Sequence, residues 1–149
     1  MMTQVRDVMA KEPKTASPEM DATNAAGLMA SYDIGVVPIV EGDGAIVGLV
    51  TDRDLVVRVL ADRRDPMSVP LREIATRRSL QTISPDATIE EARELMAAHQ
   101  IKRLIVAEND AFVSVISLGD IAQSIPSMQE VGETVREITE SPATTEGAS

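Results

Sequence analysis

Two pairs of hydroxyl and carboxylate side chains, each pair three residues apart, are the side chains of this sequence best suited to hold a ligand. Thr51 and Asp54 stand in the stretch GLVTDRDL, and Ser117 and Asp120 stand in SVISLGDI. If each pair opens a helix, the hydroxyl and the free N–H groups of the helix start can hold a phosphate, and the carboxylate can accept both hydroxyls of a ribose. The same spacing is also that of a simple helix cap. Spacing alone leaves both interpretations open.

An internal repeat places the two pairs at equivalent positions. The segment 15–44 aligns with 82–111 at a constant offset of 67, and the residues Thr, Ser, Pro, Leu and Met recur in register. After one residue is dropped, the stretch 48–55 aligns with 114–121. The stretch VRDVM near the start aligns in the same way with LREIA. The chain is therefore an internal duplication.

Each repeat predicts the same order of elements, β-α-β-β-α. A Ser-Pro pair ends a short extended segment, because the residue before proline favours extended backbone. Apolar residues at helical spacing then predict a helix, which in the second repeat begins with a capping box formed by Thr88 and Glu91. Two β-branched runs joined by a short turn predict a hairpin. The hairpin strands are expected at 34–40 and 45–50, and at 101–107 and 111–116.

The predicted fold class is α+β, with the two motifs packed sheet to sheet about a pseudo-twofold axis. A motif of about 60 residues is marginal alone, so we expect the two to share a core and to leave two equivalent clefts that suit a ligand. The apolar strand residues expected in this core are Val36, Val37, Ile46, Leu49, Val50, Leu104, Ile105, Val113, Val115 and Ile116. The predicted boundaries are 3–61 for the first motif, 62–70 for a linker, 71–126 for the second motif, 127–140 for a C-terminal amphipathic helix and 141–149 for a disordered tail.

The C-terminal helix is predicted from Met128, Val131, Val135 and Ile138, which recur with helical spacing. It either packs on its own domain or docks on a partner or a second subunit.

Composition excludes several classes of function. A net charge of −10 repels phosphate backbones and anionic membranes, so nucleic acid and membrane partners are not expected. The chain has no cysteine and one histidine, which leaves no disulfide, no thiol nucleophile and no metal site. No long apolar run is present, and we expect a soluble, cytoplasmic protein. Without a catalytic constellation we expect no enzyme; a small hydrolase using Asp52 and Asp54 is the weaker alternative.

The repeated motifs resemble a known family. SPDATIEEARELM, IKRLIV and GLVTDRDL, in this order and spacing, resemble the cystathionine-β-synthase (CBS) domain over residues 3–126. The tandem resembles a CBS pair, or Bateman module, and is similar to short bacterial CBS-pair proteins of the hypoxic-response type. The resemblance implies an adenosine-containing ligand in the clefts between the repeats: AMP, ADP or ATP, with S-adenosylmethionine or NAD as alternatives. It implies no required cofactor.

Carried over by position, the resemblance also implies site residues. Thr51 and Ser117 would contact phosphate, and Asp54 and Asp120 would contact ribose. Base contacts would come from Thr15, Ala16, Val36, Val37 and Pro38 in the first repeat, and from Thr82, Ile83, Arg103, Leu104 and Ile105 in the second. Arg53 is the best further cation for a phosphate, and Lys102 with Arg103 could reach a phosphate across the cleft.

The first repeat is expected to carry the stronger site. It has Gly48, which permits a close approach to the backbone, and Arg53, where the second repeat has Ser114 and Gly119. We therefore expect a non-enzymatic, adenine-nucleotide-binding regulatory protein that senses energy or stress. It would act as a homodimer whose shape an unknown effector protein reads. The alternative is a structural dimerisation module in which the two pairs are only helix caps.

Overall fold

The described residues form two compact units. The computed structural model describes residues 2–77, 80–124 and 128–139, so the predicted tail 141–149 and the residues 78, 79, 125–127 and 140 of the predicted elements lie outside the described residues. The repeat-1 unit contains Lys14–Leu80 and Asn109–Phe112, without the two undescribed residues in that range. The repeat-2 unit contains the described residues of Met1–Pro13, Gln81–Glu108 and Val113–Ser149.

Helices and strands follow the order that the repeat predicts. In chain order they are α1 (Val5–Val8), α2 (Ala22–Tyr32), β1 (Val36–Val40), β2 (Ile46–Thr51), α3 (Asp52–Leu55), a π-helical turn (Val56–Leu60), two 3-10 turns (Pro66–Ser68 and Leu71–Glu73), β3 (Thr82–Ile83), α4 (Ile89–His99), β4 (Arg103–Glu108), β5 (Ala111–Ser117), α5 (Leu118–Ser124) and α6 (Met128–Thr139). The mixture of helix and strand confirms the predicted α+β class.

The helix that follows each Ser-Pro pair begins with a side-chain cap and ends in a left-handed residue. Thr88 Oγ1 accepts from Glu91 N at 3.1 Å and the Glu91 carboxylate accepts from Thr88 N at 2.7 Å, which confirms the predicted capping box of α4. Asp21 caps α2 in the same position. Asp33 and Gln100 end the two helices with φ of 53° and 54°, the geometry that commonly terminates a helix.

In the repeat-1 unit, the hairpin β1–β2 is antiparallel and is extended by one residue on each side. Ala16 lies parallel to β1, and Thr76 pairs with Leu49 of β2. Pro38 is tolerated within β1 because it lies opposite Leu49, whose N–H and C=O both bond to Thr76. The Pro38 carbonyl accepts from Ala16 N at 3.0 Å.

In the repeat-2 unit, β3, β4 and β5 form a three-stranded sheet in that order. β3 runs parallel to β4, as Ala16 does beside β1. Asn109 and Asp110, with φ of 54° and 66°, form the two-residue turn from β4 to β5, in keeping with a type I′ hairpin. The shared register shows that the duplicated sequence folds twice into the same local structure.

The leading segment of each repeat packs in the unit of the other repeat. Leu71 N donates to Met20 O, and Val5 N donates to Ala87 O, each at 2.8 Å. These are equivalent bonds, because Val5 and Leu71 align, as do Met20 and Ala87. The compact units therefore do not coincide with the sequence repeats, since two segments are exchanged.

Ion pairs accompany the exchange on both units. Arg72 bonds to Glu19 and to Glu41, the latter at 3.1 Å, and Arg6 pairs with Asp86. The pKa values of Arg6 and Arg72 are raised above the usual arginine value, mainly by these hydrogen bonds. Four of the five side chains are exposed and Glu41 is half-buried, so the pairs add little to stability.

Each unit has its own apolar core, and this corrects part of the sequence prediction. Val37 and Val50 are buried with α2 and the leading segment Leu71–Glu73 in the repeat-1 unit. Leu104 and Ile116 are buried in the core of the repeat-2 unit. The prediction that these four residues pack against the strand residues of the other repeat is wrong, because they lie in two separate cores. Neighbouring strand residues such as Val36 and Val37 point to opposite sides of a sheet, so they cannot share one face.

Helix α6 packs on the repeat-2 unit. Ile138 is buried in its core and Thr134 is also buried. Val135, which the sequence assigned to the apolar face, is 37% exposed, because residues four apart such as Thr134 and Ile138 share one side of a helix. Within the described ranges, the structure has no helix of the length and apolarity that a membrane span requires.

Candidate ligand-binding junctions

The first candidate junction is the point where β2 ends and α3 begins. Thr51 is the residue before the helix, and its Oγ1 accepts from Asp54 N at 3.1 Å. Oδ2 of Asp54 in turn accepts from Thr51 N at 2.7 Å. Both residues are half-buried. The two side chains therefore form a complete capping box, as the simpler interpretation of their spacing predicts.

The start of α3 has no free N–H group for a phosphate. Asp52 N donates to Gly35 O at 2.9 Å, and Arg53 N donates to Oδ1 of Asp52 at 2.8 Å. The capping box satisfies the N–H groups of the other two residues, which completes the four that a helix start leaves open. In this structure no N–H group of the helix start is free, because Asp52 accepts from Arg53 N, and the phosphate contact expected at Thr51 stays a prediction.

Three groups at the first junction keep hydrogen-bonding capacity. Thr51 Oγ1 accepts a bond, so its own hydrogen is still available, and no described residue accepts it. Oδ1 of Asp54 has no partner among the described residues. Arg53 is exposed and has no ion-pair partner within the described ranges. A donor hydroxyl, an acceptor carboxylate oxygen and a cation thus lie on three of four consecutive residues.

The second junction, between β5 and α5, has the same capping box. Ser117 Oγ accepts from Asp120 N at 3.1 Å, and Oδ2 of Asp120 accepts from Ser117 N at 2.9 Å. Leu118 N donates to Lys102 O at 2.8 Å, which is the counterpart of the Asp52–Gly35 bond. Gly119 N has no hydrogen-bond partner among the described residues, because Leu118 has no carboxylate to offer.

The predicted base-contacting residues lie beside the two junctions, but not all present a side chain to solvent. Thr15 and Thr82 are exposed, and Val36 and Ile83 are half-buried. Lys102 and Arg103 are exposed at the start of β4. Five other predicted contact residues are buried: Ala16, Val37, Pro38, Leu104 and Ile105. For Val37 and Leu104 a role through the side chain is excluded by their place in the cores, which leaves their backbone groups.

Gly48 does not serve the role that the sequence suggested. A Cβ on Gly48 would lie 2.7 Å from Thr76 O, so the group that approaches its backbone is the leading segment of the second repeat. The aligned Ser114 is buried, and its hydroxyl donates to Ala10 O at 2.6 Å, where Ala10 is the counterpart of Thr76. The Gly48 and Ser114 difference therefore reflects packing, and it no longer argues that the first junction is the stronger.

Sequence reasoning missed Gly35, and it considered Asp52 only as a carboxylate of the hydrolase alternative. A Cβ on Gly35 would lie only 3.1 Å from Oδ2 of Asp52, so the absence of a side chain at Gly35 leaves room for the carboxylate. The aligned pair in the second repeat is Lys102 and Leu118. Both positions differ between the repeats, and the alignment of the repeats could have revealed that they are coupled.

A surface cavity lies on the repeat-2 unit. It has a volume of about 540 Å³ and is lined by Glu90, Arg93, Glu94, Ala97, Ala98 and Glu137 of α4 and α6. None of these is a predicted site residue. Over residues 2–77, 80–124 and 128–139, the structure holds no cluster of three or more His, Cys, Asp or Glu side chains that could bind a metal ion.

Comparison with known proteins gives a family match over most of the chain. The model of the CBS domain matches residues 5–61 and again residues 71–127. The two matches cover the two repeats and include both junctions.

Individual relatives share this arrangement. The chain is 34% identical to the CBS domain-containing protein YhcV of Bacillus subtilis, over 92% of this chain and 96% of the relative. It is 34% identical to hypoxic response protein 1 of Mycobacterium tuberculosis, over 84% of this chain and 87% of the relative.

Solved structures of other proteins also resemble this chain. The crystal structure of hypoxic response protein I with two coordinated zinc ions matches with a TM-score of 0.72 and 33% identity, covering 83% of this chain and 100% of that one. The CBS domain pair of the protein MJ0100, solved in complex with 5′-methylthioadenosine and S-adenosyl-L-methionine, matches with a TM-score of 0.70 and 26% identity, covering 83% of this chain and 96% of that one.

Proposed function

The chain belongs to the CBS domain family, with two copies of the domain in tandem, and we propose that it is a regulatory protein that binds an adenosine-containing ligand at its strand-to-helix junctions. The ligand class includes AMP, ADP and ATP, with S-adenosylmethionine or NAD as alternatives. The protein acts without catalysis, as a homodimer whose conformation an effector protein reads. No cofactor is required for this role.

The observation that carries the proposal is that the capping boxes of both junctions are half-buried and still have unused hydrogen-bonding groups. Every capping box leaves the hydroxyl hydrogen and one carboxylate oxygen unused, but in the box of α4 the Glu91 carboxylate is exposed. At the first junction, the hydrogen of Thr51 and Oδ1 of Asp54 are left over and lie at a half-buried position. An acceptor and a donor so placed suit a ribose hydroxyl and an oxygen of the 5′ substituent.

The relatives support the ligand class. The CBS pair of MJ0100, which holds two adenosine-containing ligands, shares the fold of this chain. At each junction the first base-contact segment, at Ala16 or Ile83, is hydrogen-bonded to the strand that precedes the hairpin turn. The same local structure is therefore available in both units to receive a nucleoside.

An exposed apolar surface supports the homodimer. Val56, Val57 and Leu60 are 54%, 44% and 62% exposed, while Val59 between them is buried. These three residues form the π-turn surface, which lies directly after the first junction. Large apolar side chains grouped on one face of a short helical segment are typical of a protein interface.

Ligand binding would regulate the protein through differential affinity. A ligand shifts an equilibrium between two conformations only by the difference between its free energies of binding to each. Because α3 continues without a break into the π-helical turn, a ligand on Thr51 and Asp54 is connected to the π-turn surface by a single helical segment. An effector that recognises the dimer would therefore sense the ligand.

Thermal unfolding with adenosine, AMP, ATP, S-adenosylmethionine and NAD tests the proposal. A ligand present at about 100 times its dissociation constant should stabilise the protein by about 2.7 kcal/mol. Asp54→Ala should remove binding at the first junction, and Asp120→Ala at the second, each at a cost of about 1 kcal/mol of stability from the lost cap. Absence of any shift with all five compounds would instead support a structural dimerisation module.

A further inference from the structure

We propose that Asp52 sets the ligand preference of the first junction, selecting an adenosine whose 5′ substituent carries no negative charge over one that carries a phosphate. The inference rests on the proposed function, because it concerns the ligand of the same junction. It assigns a role to a side chain that the capping box does not use.

The carboxylate of Asp52 is held in place at the position where a phosphate would meet the helix start. Its Oδ1 accepts from Arg53 N at 2.8 Å. Arg53 N is the one N–H group of the helix start that neither the capping box nor Gly35 O binds. On its other side, Oδ2 lies against Gly35, where an added Cβ would be only 3.1 Å away. A phosphate that approached Thr51 would therefore meet an oxygen anion in place of an N–H donor.

Charge, in addition to geometry, disfavours a phosphate at the first junction. Asp52 and Asp54 place two carboxylates within the first turn of α3, and Arg53 supplies one positive charge. Both side chains are exposed and are screened by solvent and salt, but the Asp52 carboxylate is held beside Thr51 by its hydrogen bond, whereas the Arg53 side chain has no partner among the described residues. Repulsion between like charges a few ångströms apart near a protein surface lowers affinity by about tenfold or more.

The second junction provides an internal comparison. It has the same capping box and the same bond from the first helical residue, yet Leu118 stands at the position of Asp52. Gly119 N is free among the described residues, and Lys102 stands where the first repeat has Gly35. The two junctions thus agree in the groups that suit a ribose and differ in charge beside the 5′ position.

Isothermal titration calorimetry with adenosine and with AMP tests the inference. The measurements use the Asp120→Ala variant as the parent, in which only the first junction should bind ligand. In this background adenosine should bind more tightly than AMP. Asp52→Asn keeps the volume and the hydrogen-bonding oxygen but removes the charge, and it should lower the adenosine-to-AMP preference about tenfold, mostly through tighter AMP binding. Asp52→Ala, which also frees Arg53 N, should lower it further.

Asp62→Asn is the matched control, since Asp62 is exposed in the same unit and the variant changes the net charge by the same amount. It should leave the preference unchanged. An equal preference in Asp52→Asn and its parent, or tighter binding of AMP than adenosine by the parent, would overturn the role of Asp52 while the proposed function stands. If neither compound binds the natural chain or any variant, the proposed function fails and this inference fails with it. Circular dichroism of each variant shows that it is folded.

Discussion

Gly48 and Ser114 occupy equivalent positions on the second hairpin strand of each repeat, and the backbone of a leading segment lies against both. At Gly48 the segment comes so close that a Cβ would lie 2.7 Å from Thr76 O. At Ser114 the side chain fits and its hydroxyl donates to Ala10 O. One position therefore excludes a side chain, and the other uses its side chain to hold the segment.

Gly48→Ala should destabilise the protein by about 1–3 kcal/mol, because the backbone of Thr76 must move to admit the methyl group. Urea unfolding measures the loss. Ser114→Ala is the matched control in the other repeat, and it should cost about 1 kcal/mol from the lost hydrogen bond. A Gly48→Ala protein as stable as the natural chain would show that the contact with Thr76 is not close.

Thr134 on α6 is buried, and its hydroxyl has no hydrogen-bond partner among the described residues. A buried hydroxyl without a partner costs free energy, so the nearly isosteric Thr134→Val should raise stability by about 1 kcal/mol in urea unfolding. Thr139→Val is the control on the same helix, because the Thr139 hydroxyl donates to Val135 O at 2.6 Å and is exposed. It should leave stability unchanged or slightly lower. Loss of stability in Thr134→Val would mean that the hydroxyl is satisfied.

Residue types predicted the helix caps, but they did not predict that the N–H groups at the start of α3 are all occupied. A capping box is local, so Thr88 with Glu91 could be recognised from a spacing of three. The side chain of Asp52 takes its position because Gly35, on another element, leaves space for it. Such a contact depends on the tertiary fold, and the spacing of Thr51 and Asp54 could not reveal it.

At the scale of elements, most of the fold could be predicted from the internal duplication. It predicted the helix and hairpin of each repeat and the junctions at Thr51 and Ser117, and the structure has them in that order. It did not predict which strand faces are buried, because a continuous β-branched run has no alternation to mark the core side. The exchange of the leading segments was also missed, since the short stretches VRDVM and LREIA match either repeat equally well.

Leu71→Ala tests the exchange of segments. Leu71 belongs to the second repeat in sequence, yet it is fully buried in the core of the repeat-1 unit, so the substitution should cost about 2–5 kcal/mol. Hydrogen exchange should show lower protection in α2 than in α4. Val5→Ala is the mirror control, because Val5 is buried with α4, and it should lower protection there instead. Loss of protection in α4 on Leu71→Ala would contradict the exchange.

At the scale of the whole molecule, a net charge of −10 resists self-association unless a specific surface overcomes it. The π-turn surface is suited to this. Arg58 and Val59 point inward, since Arg58 Nη1 donates to Ile74 O at 2.6 Å and Val59 is buried, which leaves Val56, Val57 and Leu60 outward. The segment begins with exposed Asp52 and ends near exposed Arg63. Two copies paired antiparallel about a twofold axis would bring the acidic start of each to the basic end of the other.

Leu60→Glu should therefore dissociate the proposed homodimer, because it places a charge on the apolar π-turn surface, and in a twofold-symmetric contact that charge appears twice. Sedimentation equilibrium should give the mass of one chain for this variant and of two for the natural chain. Met2→Glu is the control, since Met2 is an exposed apolar residue, at 66%, on the other unit, and the variant adds the same charge. If Leu60→Glu remains a dimer while Met2→Glu does not, the interface is elsewhere. High salt should leave the proposed dimer intact, since it screens the repulsion between two chains of net charge −10 as well as the rim pairs, and burial of Val56, Val57 and Leu60 supplies most of the stability.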